Sequence, residues 1–102
     1  NEDVLRDYFK RNNNIRIGDY IISRWKNLND AIKNKLGSDY QIGHSYLMKL
    51  DEYPATTPAC YRNAIWEKHI KPILEEYFRG TGREGDQIDD LKGIFYSKKS
   101  NG

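Results

Sequence analysis

The chain has 102 residues, enough for one hydrophobic core and too few for two. Its charged share of 31% is high, yet 13% aromatic residues supply the large buried surfaces that disordered chains lack, so a folded domain is expected. Lys and Arg number 17 against 15 Asp and Glu, and the resulting net charge of +2 falls short of the basic footprint of a nucleic-acid domain. The single cysteine, Cys60, excludes an intrachain disulfide and suits a reducing, cytoplasmic setting. No apolar run approaches the roughly 18 residues needed to span a bilayer. The opening stretch, NEDVLRDYFK, is acidic and amphipathic rather than a signal peptide. It enters a helical pattern without an initiating methionine, as expected of a piece of a longer chain.

Val4, Leu5, Tyr8 and Phe9 have helical spacing, with Glu2 and Asp3 complementing the dipole of a short first helix. Asn12 to Asn14 read as a loop. Asp19 is the expected cap of a second helix carrying Ile21, Ile22, Trp25, Leu28, Ile32 and Leu36, which Gly37 ends. A third, shorter helix is expected from His44 or Ser45 through Tyr46, Leu47 and Leu50, before DEYPATTP breaks the pattern. Thr57 followed by Pro58 predicts an N-cap and first-turn proline for a fourth helix running to Phe78, with a kink or break at His69 to Lys71 because Pro72 lacks an N–H. Asp86 is the expected cap of a last helix bearing Ile88, Leu91, Ile94 and Phe95. No segment keeps a strand period, so the fold class is an all-α bundle of four to five helices, with residues 1–96 as the domain and 97–102 as a polar tail.

Chemistry is sparse. The two histidines, His44 and His69, lack zinc-protease spacing, and one cysteine builds no structural zinc site, so no metal is expected. Glu75 and Glu76 point about 100° apart on a helix and read as a solvated edge rather than an acid–base pair. GTGREGD lacks the Lys and Ser/Thr of a phosphate loop and reads as an interhelical connection. No catalytic residue is assigned. Asn29, on the apolar side of the second helix, is expected to satisfy a backbone or loop partner. Trp25 and Trp66 read as core anchors, Cys60 as a small half-buried residue, and Arg24 among the basic residues of solvated helix faces.

The remaining candidate is the Ile42 to Ser45 stretch, IGHS. A helix that starts there would present unpaired N–H groups and partial positive charge to an anion. Gly43 would permit close approach, Ser45 would offer a hydroxyl and His44 an imidazole; the alternative makes Gly43 a turn, Ser45 a cap and His44 a partner of a carbonyl.

Three pieces in order, Leu28-Asn29, Ile42 to Tyr46 and Ile70 to Phe78, resemble the C-terminal end of the AAA+ domain of McrB-type proteins, the GTP-hydrolysing motors of modified-cytosine restriction systems. The resemblance covers about Asn27 to Gly80. It departs at Leu47, where an aromatic is expected, and at Ile73, where a leucine is expected. What it implies is a helical AAA+ lid, whose helix start carries the sensor 2 element. Gly43, His44 and Ser45 occupy a comparable place, and the usual sensor 2 arginine is missing. The resemblance further implies that the phosphate loop and arginine finger lie upstream of Asn1. The fragment itself would then hold no cofactor, whereas its parent would use GTP or ATP with Mg.

The implied partners are the preceding AAA+ core, neighbouring subunits of a ring, a nuclease subunit, and DNA through other domains; no membrane is implied. An apolar docking patch is expected, with Tyr46, Tyr53, Tyr61 and Tyr77 as its candidates. The alternative is a stand-alone helical module that binds protein or nucleic acid.

Overall fold

Three asparagines close the first helix in the computed structural model, which describes residues 2–54 and 57–97. Helix α1 spans Glu2–Arg11. Asn13 then takes φ 56°, and the N–H groups of Asn13 and Asn14 return to the carbonyls of Lys10 and Phe9 at 3.1 and 2.8 Å. This is a Schellman closure with asparagine in the left-handed position usually held by glycine. Because the turn is so tight, α2 (Ile15–Leu36) starts at once, with Asn14 as its flanking residue. Asp19 therefore does not cap α2 but lies within it, and its carboxylate accepts from Arg6 at 2.9 Å.

Where α1 folds back, Leu5 and Phe9 are wholly buried and Gly18 meets Phe9 directly. A Cβ at Gly18 would lie 2.7 Å from the Cβ of Phe9. Glycine is needed at this point for contact rather than for its φ freedom. Outside the contact, Glu2 pairs with Arg6 within α1 and with Lys26 of α2, both at 2.9 Å, and the second of these surface ion pairs ties the two helices together weakly.

Helix α2 is the axis of the fold and contacts α1, α3 (Pro58–Ile65) and α5 (Glu84–Tyr96). Ile17, Ile21, Ile22, Leu28 and Ile32 form its buried stripe, and Gly37 ends it at φ 113°. Thr57 caps α3 as expected, its hydroxyl accepting from the Cys60 N–H at 3.1 Å, with Pro58 in the first turn. The break before Pro72 is also present. One π turn, Trp66–Ile70, lets the Lys71 N–H bond the Trp66 carbonyl, and α4 (Lys71–Tyr77) carries the proline in its first turn, where no N–H is required. Trp66 is fully buried and stacks on Phe95 with centroids 5.8 Å apart.

Several expectations are corrected. The third helix is only a 3₁₀ turn, His44–Leu47, because Met48 leaves helical geometry and Leu50 turns the chain away. Helix α5 starts at Glu84, with Asp86 inside its first turn, and Glu84 reaches back to accept from the Gly80 N–H at 2.9 Å. Cys60 is exposed rather than half-buried, since it faces outward in the first turn of α3. Arg24 is buried, lying on the Tyr20 ring instead of in water. Ala55 and Thr56 of the expected break and residues 98–102 of the expected tail lie outside the described residues. The described residues contain no strand, and the fold is all-α with five α-helices. Among them, no helix is long and apolar enough to cross a membrane.

The Gly18 contact makes a specific demand. Gly18→Ala should lower stability by about 1–3 kcal/mol through overpacking, despite the better helix propensity of alanine. Urea unfolding checks this; an unchanged or raised midpoint would mean that α1 is not seated on α2 as described.

Candidate functional site

The segment that follows Gly37 has no long helix to hold it, so its backbone must be satisfied by side chains from elsewhere. Asn29 does this for Ile42. Its Oδ1 accepts the Ile42 N–H, and its Nδ2 donates to the Ile42 carbonyl at 2.9 Å. The Trp25 indole N–H donates to that same carbonyl at 2.8 Å, and Gln41 returns a bond to the Asn29 carbonyl at 3.2 Å. Trp25 and Asn29 lie four residues apart on one face of α2, so a rigid helix holds both polar atoms of one buried residue.

Downstream, two tyrosines hold the other end. The Tyr61 hydroxyl donates to the Leu47 carbonyl at 2.6 Å and accepts the Lys49 N–H at 2.8 Å. The Tyr8 hydroxyl accepts the Leu50 N–H at 3.0 Å. Leu47 is completely buried between these anchors. Burial pushes the Tyr61 hydroxyl well above the ordinary tyrosine range, so it stays protonated and able to donate.

What lies between the anchors is the candidate. Gly43 and Ser45 are exposed and His44 is half-buried, and the three stand together at the apex of the 3₁₀ turn. Gly43, at φ −68° and ψ 153°, takes the capping position expected of Ser45. Four residues of 3₁₀ helix sum only a small dipole, so, contrary to expectation, the turn offers an anion no helix macrodipole. The N–H groups of the leading residues of such a turn are not used in its own hydrogen bonding. The backbone donors, the Ser45 hydroxyl and the His44 imidazole contain no carboxylate, a donor set that suits phosphate oxygens.

Around the apex, Tyr40 and Tyr46 are 43% and 41% exposed, and Tyr40 meets Tyr77 edge-on with centroids 5.1 Å apart. Of the four tyrosines expected in a patch, Tyr46 is exposed and Tyr77 is half-buried against Tyr40. Tyr61 is wholly buried as a clamp, and Tyr53 hydrogen-bonds His69 at 2.8 Å. Sequence reasoning missed Tyr40, whose signal was its place two residues ahead of Ile42. It also missed the clamping by Tyr8 and Tyr61, which no spacing reveals. Among the described residues, no group of three or more His, Cys, Asp or Glu could hold a metal ion.

Asn29→Leu should cost about 2–4 kcal/mol, because it strands a buried backbone N–H and weakens the hold on the paired carbonyl. Native-state hydrogen exchange should show the Ile42 amide losing protection beyond that global loss; retained protection would contradict the clasp. Tyr61 adds a pH dependence. Its pKa is raised by folding, so its contribution is fully present below about pH 10 and is lost as pH climbs past the unfolded value. Tyr61→Phe should therefore make the alkaline loss of stability shallower, with Tyr53, Tyr77 and Tyr96, also raised by burial, keeping part of the slope. Urea midpoints between about pH 9 and pH 11 check this, and an unchanged slope would refute it.

Comparison with known proteins matches one family model, described as McrB, alpha-helical lid domain, over residues 20–86. No curated protein and no solved structure gives a significant match. The matched range takes in the Trp25–Asn29 clasp, the Gly43–Ser45 apex and the proline-broken helix, which is the same set of features that organises the fold. The chain belongs to the McrB alpha-helical lid domain family.

Proposed function

We propose that this lid closes over a nucleoside triphosphate, GTP or ATP with Mg, held by an AAA+ core that precedes it, and that Gly43, His44 and Ser45 face the phosphates. The observation that carries this reading is the apex itself: Gly43 and Ser45 exposed and His44 half-buried on a turn whose two ends are fixed by buried hydrogen bonds. A turn held from both sides moves with the whole domain. Rigid-body rotation of the lid would thus bring its donors to the phosphates or withdraw them without local refolding.

The nucleotide would supply the phosphoanhydride bond that is broken. Ser45 would donate its hydroxyl to a phosphate oxygen, His44 would donate a ring N–H, and Gly43 would let the backbone approach without a Cβ. Tyr40, Tyr46 and Tyr77 flank the apex and would form the apolar rim that meets the core as the lid closes. Through that closure the lid would couple neighbouring subunits of a ring that drives a nuclease subunit in DNA restriction. The chain then serves as one moving part of a motor, and the hydrolytic groups belong to the core.

The test is turnover of GTP and ATP by the full-length parent carrying His44→Ala or Ser45→Ala. Loss of one donor to a charged phosphate should slow hydrolysis by about tenfold or more, with thermal unfolding of the lid unchanged. Turnover equal to the unmodified protein would reduce the apex to a structural turn.

A further inference from the structure

Arg24 is 7% exposed, and buried cations ordinarily have a carboxylate partner. Arg24 has none. Its guanidinium lies 3.6 Å from the centroid of the Tyr20 ring, one Nη donates to the Tyr20 carbonyl at 2.9 Å, and its buried Nε has no hydrogen-bond partner. Arg62, from α3, comes to the same tyrosine and donates to its hydroxyl at 2.7 Å, while stacking 4.0 Å from the centroid of Tyr96. The Lys92 ammonium stands 5.3 Å from that same Tyr96 ring. Three cations thus converge on two tyrosines, and among the described residues no ion pair includes Arg24, Arg62 or Lys92. Burial weakens Arg24's hold on its proton, and the charge of Arg62 adds to that while Tyr20 opposes it. Aromatic faces offset part of the cost of such an arrangement but leave its net charge in place.

We propose that Arg24 and Arg62, with Tyr20 and Tyr96 as walls, receive a carboxylate: an Asp or Glu side chain on an acidic protein surface that packs against the α2, α3 and α5 side of the lid. Tyr20 and Arg24 lie roughly 140° around α2 from Trp25 and Asn29, so this site faces away from the helix face that holds the Gly43–Ser45 apex and does not share its ligand. Charge complementarity favours an acidic surface, because three cations that enter no ion pair among the described residues stand side by side on Tyr20 and Tyr96. Nε and Nη2 of Arg62 already converge on Asn63 Oδ1 at 3.2 and 3.0 Å, and its Nη1 serves Tyr20. One N–H remains on each terminal nitrogen of Arg62, and Arg24 keeps both N–H groups of its second terminal nitrogen, a set that can pair with the two oxygens of a carboxylate.

The test is titration of the chain with a hexaglutamate peptide at constant ionic strength, read by the Nε–H resonances of Arg24 and Arg62, with inorganic phosphate as the second arm. Saturable shifts at both arginines with the peptide, weakened about tenfold by Arg62→Gln and untouched by Lys33→Gln on the exposed far part of α2, are expected. No shift, equal or tighter binding of phosphate, or equal weakening by Lys33→Gln would each overturn the proposal. The titration of the unmodified chain decides the first two points even if Arg62→Gln fails to fold.

Discussion

A single side-chain amide, Asn29, holds both polar atoms of the Ile42 backbone, and the chain between α2 and α3 depends on it. That connection runs from Gly37 to Thr57, and its described residues contain nothing longer than a single 3₁₀ turn. An irregular segment of this length could not pack Ile42 and Leu47 into the core unless their backbone groups found partners there. Asn29 matches a backbone amide donor for acceptor and acceptor for donor. Trp25 takes the second lone pair of the same carbonyl, so the Ile42 carbonyl is doubly satisfied in a place water does not reach.

The same solution recurs at the far end of the turn, where hydroxyls replace the amide. Tyr61 and Tyr8 come from α3 and α1, so the exposed apex is referenced to three helices at once. This division of labour explains why so polar a chain forms an ordered domain. Buried polar contacts fix the loop that carries the candidate site, and Leu5, Phe9, Trp66 and Phe95 supply the apolar volume on either side of α2. The π turn before Pro72 belongs to the same economy of form: one wider turn absorbs the missing N–H and leaves Trp66, Ile70 and Leu74 all facing inward.

The parts of this structure that were legible in the sequence are those decided within a few residues. Gly37 as a helix end, Thr57 and Pro58 as a helix start, and Pro72 as a break each follow from local backbone chemistry. The caps assigned to Asp19 and Asp86 were wrong because a capping side chain competes with other closures. The Schellman turn at Asn13 starts α2 five residues earlier, and Glu84 opens α5 ahead of Asp86. Asn29 was recognisable as a buried polar group in need of a partner, but its partner, 13 residues on, follows from tertiary packing. The burial of Arg24 has a sequence signal, since it falls three residues after Ile21 and four before Leu28, on the apolar stripe itself. The apex at Gly43 to Ser45 is visible as a motif, whereas its 3₁₀ form, followed at once by the backbone bonds of Leu47, Lys49 and Leu50 to the Tyr61 and Tyr8 hydroxyls, is not.

Hydrogen exchange at individual amides of the full-length parent, with and without non-hydrolysable GTP and ATP analogues, tests the central claim most directly. If the lid closes with its apex on the phosphates, nucleotide should slow exchange at His44 and Ser45 while Ile42, already clasped by Asn29, keeps its protection. Slowed exchange in the core with no change at His44 and Ser45 would contradict a phosphate-facing apex.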